Sequence, residues 1–130
     1  MDFKRSNAEL HEAATHDRER CSATLKTARM KIADELKAEG NAALKANDAA
    51  GAIAKYTEAI ALEPSHLLYS NRSAAHAQRG DWEAALSDAS DCVALDASWP
   101  KGWCRKGAAH YALNDFGAAV AAYEAALKLT

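Results

Sequence analysis

An all-α fold of repeated helix–turn–helix units is what this amino-acid sequence predicts, and three observations carry the prediction. Alanine, the best helix former, supplies 33 of the 130 residues. Only two prolines and six glycines interrupt the chain, too few for a many-turned β-sandwich. One short phrase recurs three times, as Asn47-Asp48-Ala49-x-x-Ala52, Gly80-Asp81-Trp82-x-x-Ala85 and Asn114-Asp115-Phe116-x-x-Ala119, at spacings of 33 and 34 residues.

The chain begins with a polar segment, 1–32, that carries seven basic and five acidic side chains. Residues 33–130 carry nine basic and thirteen acidic ones and are densely periodic. Leu25, Ala28, Ile32 and Leu36 fall on one helical stripe, so the polar segment is expected to continue into the first repeat helix. Disorder before about residue 7 is the competing expectation for its start. Six helices follow from the pattern, at 33–46, 49–62, 66–79, 82–95, 100–113 and 116–129. They pair into units of about 33–65, 66–99 and 100–130.

Each recurring phrase is a corner within a unit. Gly or Asn tolerates the left-handed backbone that ends a helix. The following Asp accepts from free N–H groups and starts the next helix. The small alanine one turn later lets the two helices approach. Before the corners stand Leu36 and Gly40, Tyr69 and Ser73, Trp103 and Gly107; after them stand Tyr56 and Ala59, Ala89 and Cys92, Tyr123 and Ala126. Large beside small at helical spacing is how antiparallel helices interdigitate. Pro64 closes the first unit, and Pro100 suits the first turn of the fifth helix.

Composition narrows the function. No stretch approaches the roughly 20 apolar residues of a membrane helix, and the opening MDFKRSNAEL lacks the apolar core of a secretory signal. Cys21, Cys92 and Cys104 are too few and scattered for a disulfide scaffold, so a reducing, cytoplasmic setting is expected. A net charge of −2 gives no general nucleic-acid-binding surface. His11 and His16 are five apart, a poor metal spacing, and His76 and His110 read as packed structural residues. No phosphate loop, metal cluster or nucleophile–base signature is present, so neither enzyme activity nor a cofactor is expected. Arg72 and Lys106 read as solvated neighbours, and Trp82, Trp99 and Trp103 as core.

Stacked helix pairs form a superhelix whose concave face is lined by the first helix of each pair. Lys37 and Asn41 lie four apart on one such helix, Lys101 and Arg105 four apart on another, and Asn71 on the helix between. Lysine offers a point charge, arginine a planar fork that fits a carboxylate, and asparagine amides further donors without charge. Gathered in one groove, the five side chains describe an anion site that focuses positive potential on an otherwise acidic body.

The period of about 34 residues, with its large–small–corner–small pattern, resembles the tetratricopeptide repeat over residues 33–130. Ala49 departs from the usual aromatic, His76 and His110 from a common tyrosine, and Ala97 from a closing proline; none of these breaks a helix. Glu35-Leu36-Lys37-Ala38-Glu39-Gly40-Asn41, Leu68-Tyr69-Ser70-Asn71-Arg72-Ser73-Ala74-Ala75 and Lys101-Gly102-Trp103-Cys104-Arg105-Lys106 are similar to the carboxylate-clamp repeats of chaperone-organising heat-shock co-chaperones. The resemblance implies a right-handed α-solenoid of three repeats with a concave peptide groove. It assigns the clamp to Lys37, Asn41, Asn71, Lys101 and Arg105. It implies a partner: the C-terminal Glu-Glu-Val-Asp tail of seventy- or ninety-kilodalton heat-shock chaperones, the seventy-kilodalton class being favoured. Discrimination between classes is expected at Leu44, Ala74, Ala77 and Tyr111. Two alternatives stand beside this adaptor: a scaffold or self-association module, and the targeting domain of a larger enzyme such as a prolyl isomerase, phosphatase or ubiquitin ligase. Val120 and Leu127 on the last helix are expected to be left partly bare unless a partner or further chain covers them.

Overall fold

The computed structural model describes residues 6–130, and every described element is a helix. In chain order these are α1 (Asn7–Lys45), α2 (Ala49–Leu62), α3 (His66–Gln78), α4 (Trp82–Leu95), α5 (Pro100–Ala112) and α6 (Phe116–Lys128). The expectation of disorder before residue 7 falls mainly on residues 1–5, which lie outside the described residues. Ser6 caps α1: its hydroxyl accepts from the Glu9 N–H while the Glu9 carboxylate accepts from the Ser6 N–H. From there α1 runs unbroken for 39 residues through the polar segment into the first repeat.

The corners are built as their chemistry requires. Asn47, Gly80 and Asn114 take φ of 61°, 79° and 65°, the left-handed conformation in which each first helix ends. Asp48, Asp81 and Asp115 then accept from the N–H groups of Gly51, Ala84 and Ala118. Ala52, Ala85 and Ala119 are 0%, 1% and 2% exposed, so the small residue one turn in lies sealed between helices. Pro100 opens α5 where its missing N–H costs nothing.

α1 packs on α2, α3 on α4 and α5 on α6, and consecutive pairs stack through α2 on α3 and α4 on α5. α1 also touches α3, and α3 touches α5, so the three first helices stand side by side along one face. Ala33, Ala52, Tyr56, Ala59, Leu68 and Ala75 form the core between the first pair and α3. The large–small register is literal here. A Cβ on Gly40 would sit 2.5 Å from the Tyr56 ring, and one on Gly107 2.9 Å from the Tyr123 ring. In the middle repeat the pattern is met differently, by Ser73, whose hydroxyl donates to the Ala85 carbonyl at 2.8 Å.

Two expectations are corrected. Trp82, Trp99 and Trp103 are half-buried rather than core. They lie toward the helix ends, where Trp103 Nε1 donates to the Ala97 carbonyl at 2.8 Å and His66 meets Trp99 edge-on at 5.0 Å. Arg72 is not a solvated neighbour. Its guanidinium clasps Asp88 of α4 through two hydrogen bonds of 2.8 and 2.7 Å and reaches Thr57 at 3.1 Å. Asp88 is 3% exposed, and these bonds hold the Arg72 guanidinium above its usual pKa. A buried carboxylate needs such a partner.

Candidate anion-binding groove

The five clamp candidates stand on α1, α3 and α5, the three helices that lie side by side; Lys37 borders a depression with Pro64, Ser65 and Leu68, separate from the one beside Lys101 and Arg105. Lys37 and Asn41 are one turn apart on α1, and Lys101 and Arg105 one turn apart on α5. Two bonds tie the three helices together at this level. Asn71 Nδ2 on α3 donates to Asn41 Oδ1 on α1 at 3.2 Å. On the other side, Arg105 Nε on α5 donates to the Ser70 hydroxyl on α3 at 3.4 Å. Ser70 is fully buried, so the arginine stem is anchored while its remaining donors stay available.

The charges are lightly engaged. Lys37, half-buried, has its Nζ 3.9 Å from Oδ1 of the exposed Asp34, a long pair of little energetic weight. Among the described residues, Lys101 and Arg105 have no carboxylate within 4.0 Å. They line an open cavity of about 340 Å³ with Cys104, Ala108 and Tyr123. A pair of cations one turn apart, unneutralised and facing solvent, is electrostatically prepared for an anion.

The four candidate specificity positions lie in different surroundings. Leu44 is half-buried against the first-repeat core. Ala74 and Ala77 are half-buried on α3. Tyr111 is 64% exposed at the end of α5, its ring edge-on to Phe116 at 5.4 Å.

Two residues behind the groove were not singled out by the clamp pattern. Ser70 carries Arg105. Tyr56, 0% exposed, donates its hydroxyl to Asn41 Oδ1 at 2.5 Å. The sequence marks Tyr56 as the large member of a packing pair, a signal for burial that says nothing about where its hydroxyl goes. His76 Nε2 lies 3.6 Å from Asp88 and His110 Nδ1 3.7 Å from Asp115, so the two equivalent histidines face different carboxylates. Among the described residues, no group of three His, Cys, Asp or Glu side chains could hold a metal ion. No described helix is long and apolar enough to cross a membrane.

Comparison with known proteins matches residues 100–130 to the tetratricopeptide repeat. The heat shock protein sti1 homolog of Schizosaccharomyces pombe is 52% identical over 98 residues, 75% of this chain and 17% of that protein. The chain thus spans under a fifth of the curated relatives that it matches this well. Among solved structures, the first tetratricopeptide domain of Spaghetti (RPAP3), bound to the HSP90 peptide SRMEEVD, is 34% identical with a TM-score of 0.75; the match covers 76% of this chain and 79% of that one. The second such domain of human RPAP3, in complex with the HSP70 peptide SGPTIEEVD, is 30% identical with a TM-score of 0.75 and coverages of 78% and 85%.

Proposed function

This chain belongs to the tetratricopeptide-repeat family, and from that premise we propose that its concave groove binds the C-terminal tails of heat-shock chaperones that end in Glu-Glu-Val-Asp. The observation that carries the reading is the bonding of α1 to α3 through Asn41 and Asn71, and of α3 to α5 through Ser70 and Arg105, beside lysines that lack strong partners. Similar domains bound to tails of this kind support it.

A chain ending in aspartate carries two carboxylates on one residue. In this reading Lys37, Asn41 and Asn71 form one receiving group and Lys101 with Arg105 the other. A single terminal residue then engages both, and an internal aspartate engages only one. Lysine steers by charge, and the Arg105 fork fixes the carboxylate plane. Residues upstream of the tail's end meet Leu44, Ala74, Ala77 and Tyr111, which set the preference between the two chaperone classes. The chain acts as an adaptor with no catalysis of its own, in the cytoplasm, where Cys21, Cys92 and Cys104 remain free thiols.

A scaffold or self-association role is the second reading. It is favoured by the apolar side of α6, where Phe116, Val120 and Leu127 are 54%, 55% and 71% exposed. Competitive titration with tail peptides of the two chaperone classes tests the adaptor reading. A short peptide in an open groove binds at about micromolar strength, near −8 kcal/mol, with the seventy-kilodalton tail preferred. Failure of both peptides to bind at about a hundredfold higher concentration removes the adaptor reading; preference for the ninety-kilodalton tail reverses the class assignment only.

A further inference from the structure

We propose that Tyr56 is a positioning residue for the groove: its buried hydroxyl decides which end of the Asn41 amide faces the ligand. The inference rests on the groove reading above and deepens it. A free asparagine amide can present its oxygen or its nitrogen, and only the nitrogen attracts a carboxylate. Here the oxygen is engaged twice, by the Tyr56 hydroxyl at 2.5 Å and by Asn71 Nδ2 at 3.2 Å. A hydroxyl and an amide N–H both point at this atom, and only an acceptor can take the two. The phenol therefore meets the carbonyl end of Asn41. Both lone pairs of that oxygen are occupied, and both hydrogens of Asn41 Nδ2 are left for the groove.

The hydroxyl's own position is set by packing. The Tyr56 ring lies against Gly40, the residue before Asn41, so closely that a Cβ there would overlap it. Burial also raises the phenol pKa from 10.0, which keeps it a donor throughout the neutral range. Core packing in the first repeat is thus carried into the orientation of one groove amide.

The other two repeats lack this arrangement. Tyr123 occupies the equivalent place and packs on Gly107 in the same way. The residue after that glycine is Ala108, so the Tyr123 hydroxyl has no asparagine to orient. In the second repeat Ala89 stands at this position and no hydroxyl is present.

The test compares Tyr56→Phe with Tyr69→Phe, each keeping its ring; Tyr69 stands on α3, and its hydroxyl has no hydrogen-bond partner among the described residues. It uses calorimetric titration of the whole chain with a free-acid peptide ending in Glu-Glu-Val-Asp. Tyr56→Phe is expected to weaken binding about three- to tenfold, the worth of one hydrogen bond, and Tyr69→Phe to change it less than about twofold. Unchanged affinity in Tyr56→Phe, or equal losses in both, overturns the proposal. A second measurement needs neither variant nor ligand. In the free wild-type protein, the Asn41 side-chain N–H hydrogens should give at most a weak nuclear Overhauser contact to the Tyr56 ring; a strong contact shows the amide reversed and overturns the proposal. Should the wild-type chain fail to bind the peptide, the groove reading fails, and this second measurement still decides the orientation of Asn41.

Discussion

Gly40→Ala and Gly107→Ala add the same methyl group at equivalent positions of the first and third repeats, yet their surroundings predict different outcomes. At Gly40 the new Cβ would meet Tyr56 ring carbons at 2.5, 2.8 and 3.0 Å; at Gly107 it would meet Tyr123 ring atoms at 2.9 to 3.0 Å. Tyr56 is 0% exposed and held at its far end by Asn41, so its ring can retreat only by moving α2. Tyr123 is 39% exposed on α6 and can swing outward. Overpacking of a closed site costs about 1–3 kcal/mol, and replacing a mid-helix glycine by alanine returns about 1 kcal/mol. Gly40→Ala belongs at the upper end, a net loss of about 2 kcal/mol; Gly107→Ala belongs at the lower end, near zero. At about 4 °C per kcal/mol for a chain of this size, the first variant should melt about 8 °C below the parent and the second within about 2 °C of it. Thermal melts by circular dichroism read both. Equal shifts, or a Gly107→Ala variant less stable than Gly40→Ala, would refute the argument that ring confinement sets the cost.

Lys101→Ala and Arg105→Ala should each lower tail affinity about ten- to hundredfold, the loss of a charge-assisted contact. Peptide titration and thermal melts of the same variants should show stability changed by less than about 0.5 kcal/mol; a large drop in melting temperature with normal binding makes Arg105 structural. Ala85→Leu should do the reverse, losing about 1–3 kcal/mol of stability with binding retained, because Ala85 is 1% exposed in the second corner. Burial pushes the Cys92 thiol up to about 11. Near neutral pH a thiol reagent should therefore titrate Cys21 and Cys104 quickly and Cys92 only after denaturation; three fast thiols in the native protein would contradict the burial. The folded-state pKa of Tyr56 is raised above 10.0. Its contribution to stability is thus full below that value and is lost as pH rises through the folded value. Melts on either side of pH 10 should show an alkaline loss that Tyr56→Phe reduces, and an identical loss in that variant would count against it.

The corners were readable because their information is local. A left-handed residue, an Asp cap and a small residue sit within six positions, and Asn47, Gly80 and Asn114 all behave as that chemistry demands. α2 through α6 consequently begin at the predicted residues and end within one of the predicted ends. The start of α1 was less legible. No proline interrupts residues 7–45 and the only glycine is Gly40, so nothing local distinguishes the polar segment from the repeat helix it enters. Lys37 with Asn41 and Lys101 with Arg105 stand at i, i+4 spacing and Asn71 on the helix between, so an anion site is visible in one dimension; the assignment of the five to a clamp comes from the family resemblance. The partners behind them could not be read this way. Arg72 and Asp88 are 16 residues apart on different helices, and Tyr56 and Asn41 are 15 apart. Their pairing depends on how the helices rotate against one another, which periodicity leaves open. The tryptophans show the same gap: size and spacing suggested core, but position near helix ends leaves them half-exposed.

The groove is proposed to read a free C-terminal carboxylate with Lys37, Asn41, Asn71, Lys101 and Arg105. Calorimetric titration with one peptide ending in Glu-Glu-Val-Asp, prepared as the free acid and as the terminal amide, tests it most directly. The amide keeps every side chain and removes one charge. Binding of the free acid at about micromolar strength, weakening as salt rises, with almost no binding of the amide, is the predicted result. An amide that binds as tightly as the free acid would contradict the account.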